Sequence, residues 1–125
     1  MRGRLRRIRL PILYYHEIGL ARSKYVVHPA ELEAQLDWLL ASGFEALSMD
    51  DVVAVYAGTR PAPARGVVLS FDDGRKGVRD FAAPALARRR LPAILYLVTD
   101  WLDGARVLES ERYSGLIGWA DLEAL

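Results

Sequence analysis

Apolar positions along the chain alternate between short continuous runs and stretches of helical spacing. Ile8 to Tyr15 is short, apolar and aromatic, which predicts a buried strand. Glu17 to Lys24 reads as a loop, and Pro29 suits the first position of a helix. Within that helix Leu32, Leu36, Leu39 and Leu40 fall on one face, and Gly43 stands where a glycine commonly ends a helix. Phe44 to Leu47 predicts a second short strand. Ser48 and Asp51 have the spacing of a capping box, opening a helix through about Tyr56 that Gly58 closes. Thr59 to Arg65 carries Pro61 and Pro63 and reads as a surface connection.

The second half repeats the pattern. Gly66 to Phe71 is a valine-containing apolar run, the signature of a strand buried on both faces. Lys76 to Arg90 suits a helix, with Arg88, Arg89 and Arg90 at the end where the helix dipole favours cations. Pro84 is expected to kink or break it, because proline removes a backbone donor. Pro92 opens the strand Ala93 to Val98, Asp100 to Ser114 reads as a loop with at most a turn of helix, and Trp119 to Leu125 begins another helix. Strands alternating with helices predict a parallel α/β arrangement. The last helix has barely two turns, too few to bury an apolar face, so the chain is expected to end within an architectural unit. There is no internal repeat. Trp38, Tyr14 and Tyr15 fall in apolar patterns and are expected in the core; Trp101 and Trp119 suit either a packed position or the wall of a sugar groove.

Length and composition narrow the classes. The 125 residues suffice for one small domain, with 52% hydrophobic and 26% charged residues, the balance of a globular chain. A net charge of +1 gives no argument for nucleic acid as a partner. The basic run Arg2, Arg4, Arg6, Arg7 and Arg9 lacks aromatic or helical patterning and reads as a solvated tail, residues 1–9, ahead of a domain over residues 10–125. The apolar run that follows is cut off by His16 and Glu17, so no signal peptide is evident, and no segment approaches the roughly 18 apolar residues of a transmembrane helix. The compartment stays open. Cysteine is absent, which excludes disulfides, thiolate metal sites and a cysteine nucleophile.

Any metal site therefore draws on Asp, Glu, His16 and His28. His28 precedes Pro29 and reads as a surface residue at a helix start. His16, at a strand end, either lines a site or supports one. Asp72 and Asp73 follow an apolar strand and precede Gly74, and ligands of parallel α/β proteins gather at the C-terminal ends of strands. One carboxylate could bind a divalent cation and the other act as a base. Neighbouring side chains on a strand point to opposite faces, so both reach one site only if the backbone turns there, which Gly74 permits. The bare dipeptide is also a common helix cap.

The wider string is more specific. Leu69-Ser70-Phe71-Asp72-Asp73-Gly74 resembles the first motif, T-F-D-D-G, of NodB-like polysaccharide deacetylases, with Ser70 in place of the usual threonine. Pro11 to Ile18 resembles that family's early P-x-L-x-Y-H-x-I strand, and Val26 to Gly43 its following helix. Leu47 to Asp51, Leu91 to Val98 and Gly118 to Leu122 resemble later segments in the same order, so the likeness runs over nearly the whole chain from Leu10. The resemblance implies the N-terminal part of an irregular (β/α) barrel of the NodB type. It implies a metal-dependent hydrolase that removes N-acetyl groups from an N-acetylated polysaccharide, acting on a non-peptide carbon–nitrogen bond.

By the same resemblance Asp72 is the general base and Asp73 a ligand of a divalent metal, zinc in a complete enzyme. The other ligands would be histidines of a second motif, S/T-H-x-x-x-H-P, which this sequence does not contain. A catalytic zinc normally has three protein ligands, and so held it lowers the pKa of its water to about 7. The 125 residues alone are therefore expected to be inactive. Two other readings stay open: a non-catalytic remnant that binds sugar or a partner, and an acidic phosphoryl-transfer pocket holding magnesium near Arg75 and Lys76. A partial barrel would leave a strand edge and helix faces uncovered, which predicts self-association.

Overall fold

The computed structural model describes residues 8–103 and 115–125. Arg2, Arg4, Arg6 and Arg7 of the basic run and residues 104–114 of the expected loop lie outside the described residues. A parallel α/β arrangement is present, built around one strand. That strand, β5 (Gly66–Asp72), is buried from Gly66 to Phe71, as its unbroken apolar run predicts. Strand β1 (Ile12–Tyr15) pairs with it in register Ile12 to Val68 through Tyr15 to Phe71. Strand β4 (Glu45–Ala46) pairs with its first residues and β6 (Ile94–Tyr96) with its last, all parallel. The expected loop Glu17 to Lys24 instead opens with a short strand, β2 (Glu17–Ile18), which pairs with β3 (Val26–Val27) just beyond the loop.

Local chemistry sets the helix boundaries. Helix α1 (Pro29–Ala41) starts at His28, whose Nδ1 accepts the Ala30 N–H at 3.2 Å while Glu31 accepts the His28 N–H. It ends before Gly43, which has φ 74°. Helix α2 (Met49–Ala57) opens on the expected capping box. The Asp51 N–H donates to Ser48 Oγ at 3.2 Å, and the Ser48 N–H to Asp51 Oδ2 at 3.0 Å. The stretch from Lys76 does not run as one α-helix. A π-helical turn, Val78–Ala82, precedes helix α3 (Ala83–Arg89), and the Ala83 N–H bonds to the Val78 carbonyl five residues back. Pro84 is the physical reason, since it cannot donate the bond that would continue an α-helical ladder through this point. Two short helices, α4 (Thr99–Leu102) and α5 (Trp119–Glu123), complete the described elements.

Period two along β5 divides the core. Val67, Leu69 and Phe71 join Tyr15, Ile18, Leu32, Leu36, Leu39, Val78, Ala82, Ala85 and Leu86 under α1, the π-turn and α3. On the other face Val68 packs with Leu47 and Val55 of the α2 side, joined by Ile8 and Leu10. Ile8, counted with the basic run by sequence, thus belongs to this apolar cluster. Two expected core residues are not in the core. Trp38 is 62% exposed, because it lies about a third of a turn from the Leu32–Leu36–Leu39 stripe and instead covers Phe44 at 5.9 Å between rings. Tyr14 is 69% exposed, because alternation sends Tyr15 into the core and Tyr14 to the opposite face, where it is left uncovered. β1 as a whole is therefore not the buried strand its sequence predicts. Leu40 is likewise exposed.

Ion pairs tie the helices together on the surface. Arg89 reaches Glu33 at 2.5 Å and Asp37 at 2.7 Å, Arg88 also pairs with Glu33, and Arg79 holds Asp121 at 2.5 Å. Hydrogen bonding from Arg89 holds the Glu33 and Asp37 carboxyls below their ordinary values. Depressed carboxylates stabilise the fold above their ordinary pKa and lose that contribution as pH falls through the lowered one. In Arg89→Met, the loss of urea midpoint relative to the parent is expected to be largest at neutral pH. It should narrow as pH falls through 4.5 and 3.8, the ordinary values for Glu33 and Asp37. A gap of constant size across that range would refute the linkage.

Gly77 marks the closest backbone approach. A Cβ there would overlap the Ile18 carbonyl oxygen and Glu17 Oε1, so β2 and the start of the π-turn meet only because position 77 has no side chain. Gly77→Ala is expected to cost about 3 kcal/mol, the upper range for overpacking against backbone. A shift in urea midpoint no larger than that of Gly118→Ala, which meets open space, would count against this close approach.

Candidate active site

The chain reverses where β5 ends. Asp73 has φ 75° and Gly74 φ 69°, so two successive residues adopt the left-handed conformation. The sequence assigned the turn to Gly74; the structure adds Asp73, a non-glycine residue that pays a conformational cost in this region. Segment 115–117 fixes the reversal. The Ile117 N–H donates to the Gly74 carbonyl at 2.9 Å and the Lys76 N–H to the Gly115 carbonyl at 2.8 Å. Leu97 and Ile117 press on Gly74, where a Cβ would stand 2.7 Å from Leu97 Cδ2.

This turn lets the two carboxylates share one site. Asp72 lies on the strand face of Val68 and Ser70, with its Oδ2 3.9 Å from His16 Nε2. Asp73 lines a cavity of about 190 Å³ with His16, Tyr25 and Arg75. His16 therefore adjoins both. β1 and β5 run parallel in register from Ile12–Val68 to Tyr15–Phe71, so the residues that follow each strand emerge side by side. The ring of Tyr14 meets that of His16 edge to face at 5.8 Å. Of the two possible placements of His16, the structure puts it at the site. His28 caps α1 through Nδ1, as its position before Pro29 suggests.

Sequence reasoning gave Arg75 and Tyr25 no place in this reading. Arg75 is 7% exposed; its Nη2 is 3.9 Å from Asp73 Oδ2, and its guanidinium lies 5.8 Å from the Trp101 ring centre. Trp101 thus packs on the cation behind the site. Trp119 is half exposed, and its Nε1–H donates to Asp103 Oδ1 at 2.7 Å. Adjacency to the Asp-Asp-Gly string was the available signal for Arg75. Tyr25 had none beyond an aromatic residue in a polar loop.

The metal implied by the resemblance can be tested against the donors present. Among the described residues no three His, Cys, Asp or Glu side chains come together as a metal-binding group. Three ligands are the norm for catalytic zinc, so these residues do not by themselves fit such a centre.

The paired carboxylates thus stand at the C-terminal end of the central strand of a parallel α/β sheet, where ligands of such sheets gather. No family model matches the chain. It is 31% identical over 77 residues to the poly-β-1,6-N-acetyl-D-glucosamine N-deacetylase of Escherichia coli K12, covering 62% of this chain and 12% of that protein. The structure of IcaB from Ammonifex degensii superimposes with a TM-score of 0.77 at 27% identity, over 92% of this chain and 47% of that one. The deacetylase domain of BpsB from Bordetella bronchiseptica gives 0.71 at 25% identity, over 92% and 49%. The likeness runs over the N-terminal part of these deacetylase domains, in line with the resemblance to NodB-like polysaccharide deacetylases. The chain spans about half the length of these solved structures and a smaller share of the curated relative.

The left-handed turn generates its own test. Asp tolerates this region better than most residues, and a β-branched side chain tolerates it least. Asp73→Gly is expected to match or exceed the parent in stability, by up to about 1 kcal/mol, while Asp73→Val should lose about 1–2 kcal/mol. Equal urea midpoints for the two variants would show that position 73 is not held at positive φ.

Proposed function

We propose that this protein is part of a metal-dependent hydrolase that removes N-acetyl groups from an amino-sugar polysaccharide. The observation that carries the proposal is the convergence of Asp72, Asp73 and His16 at the end of β5. The names of its relatives support the substrate class. In this reading the sheet is the first portion of a (β/α) barrel of the NodB type, and the site faces the barrel mouth.

Amide hydrolysis needs a proton removed from water and a proton delivered to the departing amine. Asp72 is the base in this assignment. His16, with Nε2 3.9 Å from Asp72 Oδ2, stands beside the base, and by the resemblance the acid that protonates the departing amine is a histidine of a later motif. Asp73 would supply one carboxylate oxygen to a divalent metal, zinc foremost, whose remaining ligands are not among the described residues. Bound there, such a metal would acidify water and polarise the acetyl carbonyl. Arg75 holds the opposite side of Asp73, fixing its orientation. The phosphoryl-transfer alternative is weaker, because Arg75, one of the two cations it draws on, is buried against Asp73 and Trp101 and the likeness elsewhere along the chain does not support it.

The test is a chimera in which this chain replaces the corresponding half of the Ammonifex degensii IcaB domain. Zinc-dependent acetate release from poly-β-1,6-N-acetylglucosamine is expected, with Asp72→Asn and Asp73→Asn each reducing it at least about 100-fold, the usual scale for a lost acid–base group. A folded chimera whose release is unaffected by either substitution would sink the assignment.

A further inference from the structure

An N-acetylated polysaccharide carries no charge at its acetylated residues. A site for it must therefore rely on hydrogen bonds and on aromatic faces that cover the C–H side of a sugar ring. The carboxylates and Arg75 do not supply such a face. Tyr25 lines the same cavity as His16, Asp73 and Arg75, and its residue is 53% exposed. Isolated exposed aromatics are ordinary on protein surfaces. Tyr25 differs because it stands beside the paired carboxylates on an anchored segment. The Val26 N–H closes a turn onto the Ser23 carbonyl at 3.1 Å, and the Gly19 N–H bonds to the Val27 carbonyl at 3.0 Å. β3 then pairs directly with β2, which follows His16. Lys24 Nζ sits 4.8 Å from the Tyr25 ring centre, favouring one ring orientation. A ring held this way loses little freedom when a ligand covers it.

From this placement we infer that Tyr25 is a sugar-stacking platform at the mouth of the site, receiving a hexosamine ring of the polymer while the acetamide reaches toward Asp72 and Asp73. The inference rests on the deacetylase reading and names the contact by which that site would take its substrate. The ring makes the contact, not the hydroxyl. Removing the hydroxyl should therefore leave binding intact, and removing the ring should not.

The experiment is saturation-transfer NMR on the 125-residue chain with a β-1,6-linked N-acetylglucosamine tetramer, comparing the parent with Tyr25→Ala and Tyr25→Phe. Tyr25→Ala should weaken binding by about tenfold, the upper range of an aromatic contact, and Tyr25→Phe by less than about twofold. Equal affinity for the parent and Tyr25→Ala would overturn the platform and leave the deacetylase reading standing, since the tetramer still binds. A loss in Tyr25→Phe as large as in Tyr25→Ala would also overturn it, assigning the contact to the hydroxyl. Absence of tetramer binding by the parent would overturn the platform, whereas failure of the chimera to respond to Asp72→Asn and Asp73→Asn would strike the catalytic assignment.

Discussion

Everything chemical in this chain depends on one backbone reversal, the left-handed pair Asp73–Gly74 at the end of β5. A strand sends consecutive side chains to opposite faces, so without the reversal Asp72 and Asp73 would diverge. The reversal is not left to the two residues alone. Gly74 and Lys76 both bond to segment 115–117, far along the chain, and Leu97 and Ile117 close over Gly74. A non-glycine residue in this conformation persists only where its surroundings over-determine it. Here segment 115–117 and Leu97 hold the residues that follow Asp73.

The core beneath the reversal explains its rigidity. Leu69 and Phe71 of β5 are packed under α1, the π-turn and α3, and the Tyr15 and Phe71 rings stack at 5.1 Å. Gly77 brings the π-turn onto β2, next to the buried Glu17 and one residue from His16. The path from core to site is therefore short on both flanks. On one side Phe71 precedes the carboxylates; on the other Tyr15 precedes His16. The surface ion pairs of Arg79, Arg88 and Arg89 act elsewhere, clasping helices to one another, and exposed pairs of that kind contribute modestly one by one.

How much of this could be read in the sequence follows from the range of the forces involved. The Ser48 capping box, the helix start at His28, the glycine after α1 and the proline break are set by residues close in sequence, and all were legible; the capping box that His28 forms with Glu31 was not read. The parallel sheet followed from alternation of elements. Tyr14 and Trp38 were misplaced because apolar character says that a side chain prefers cover, not that the fold provides any. The positive φ of Asp73 was illegible because aspartate adopts several conformations and the deciding contacts come from residues 115–117. The approach of His16 to Asp72 depends on the register of β1 against β5, a pairing between segments more than fifty positions apart.

The same logic separates what the site owns from what it borrows. The described residues bring one imidazole and two carboxylates to the ends of β1 and β5, through two strand ends, one reversal and one return segment. They do not bring together three side chains able to hold a metal. A metal needs ligands that surround it, and neighbouring strand ends of one sheet offer them from one side only. In the deacetylase reading the remaining ligands, and the acid that protonates the departing amine, are therefore residues other than these.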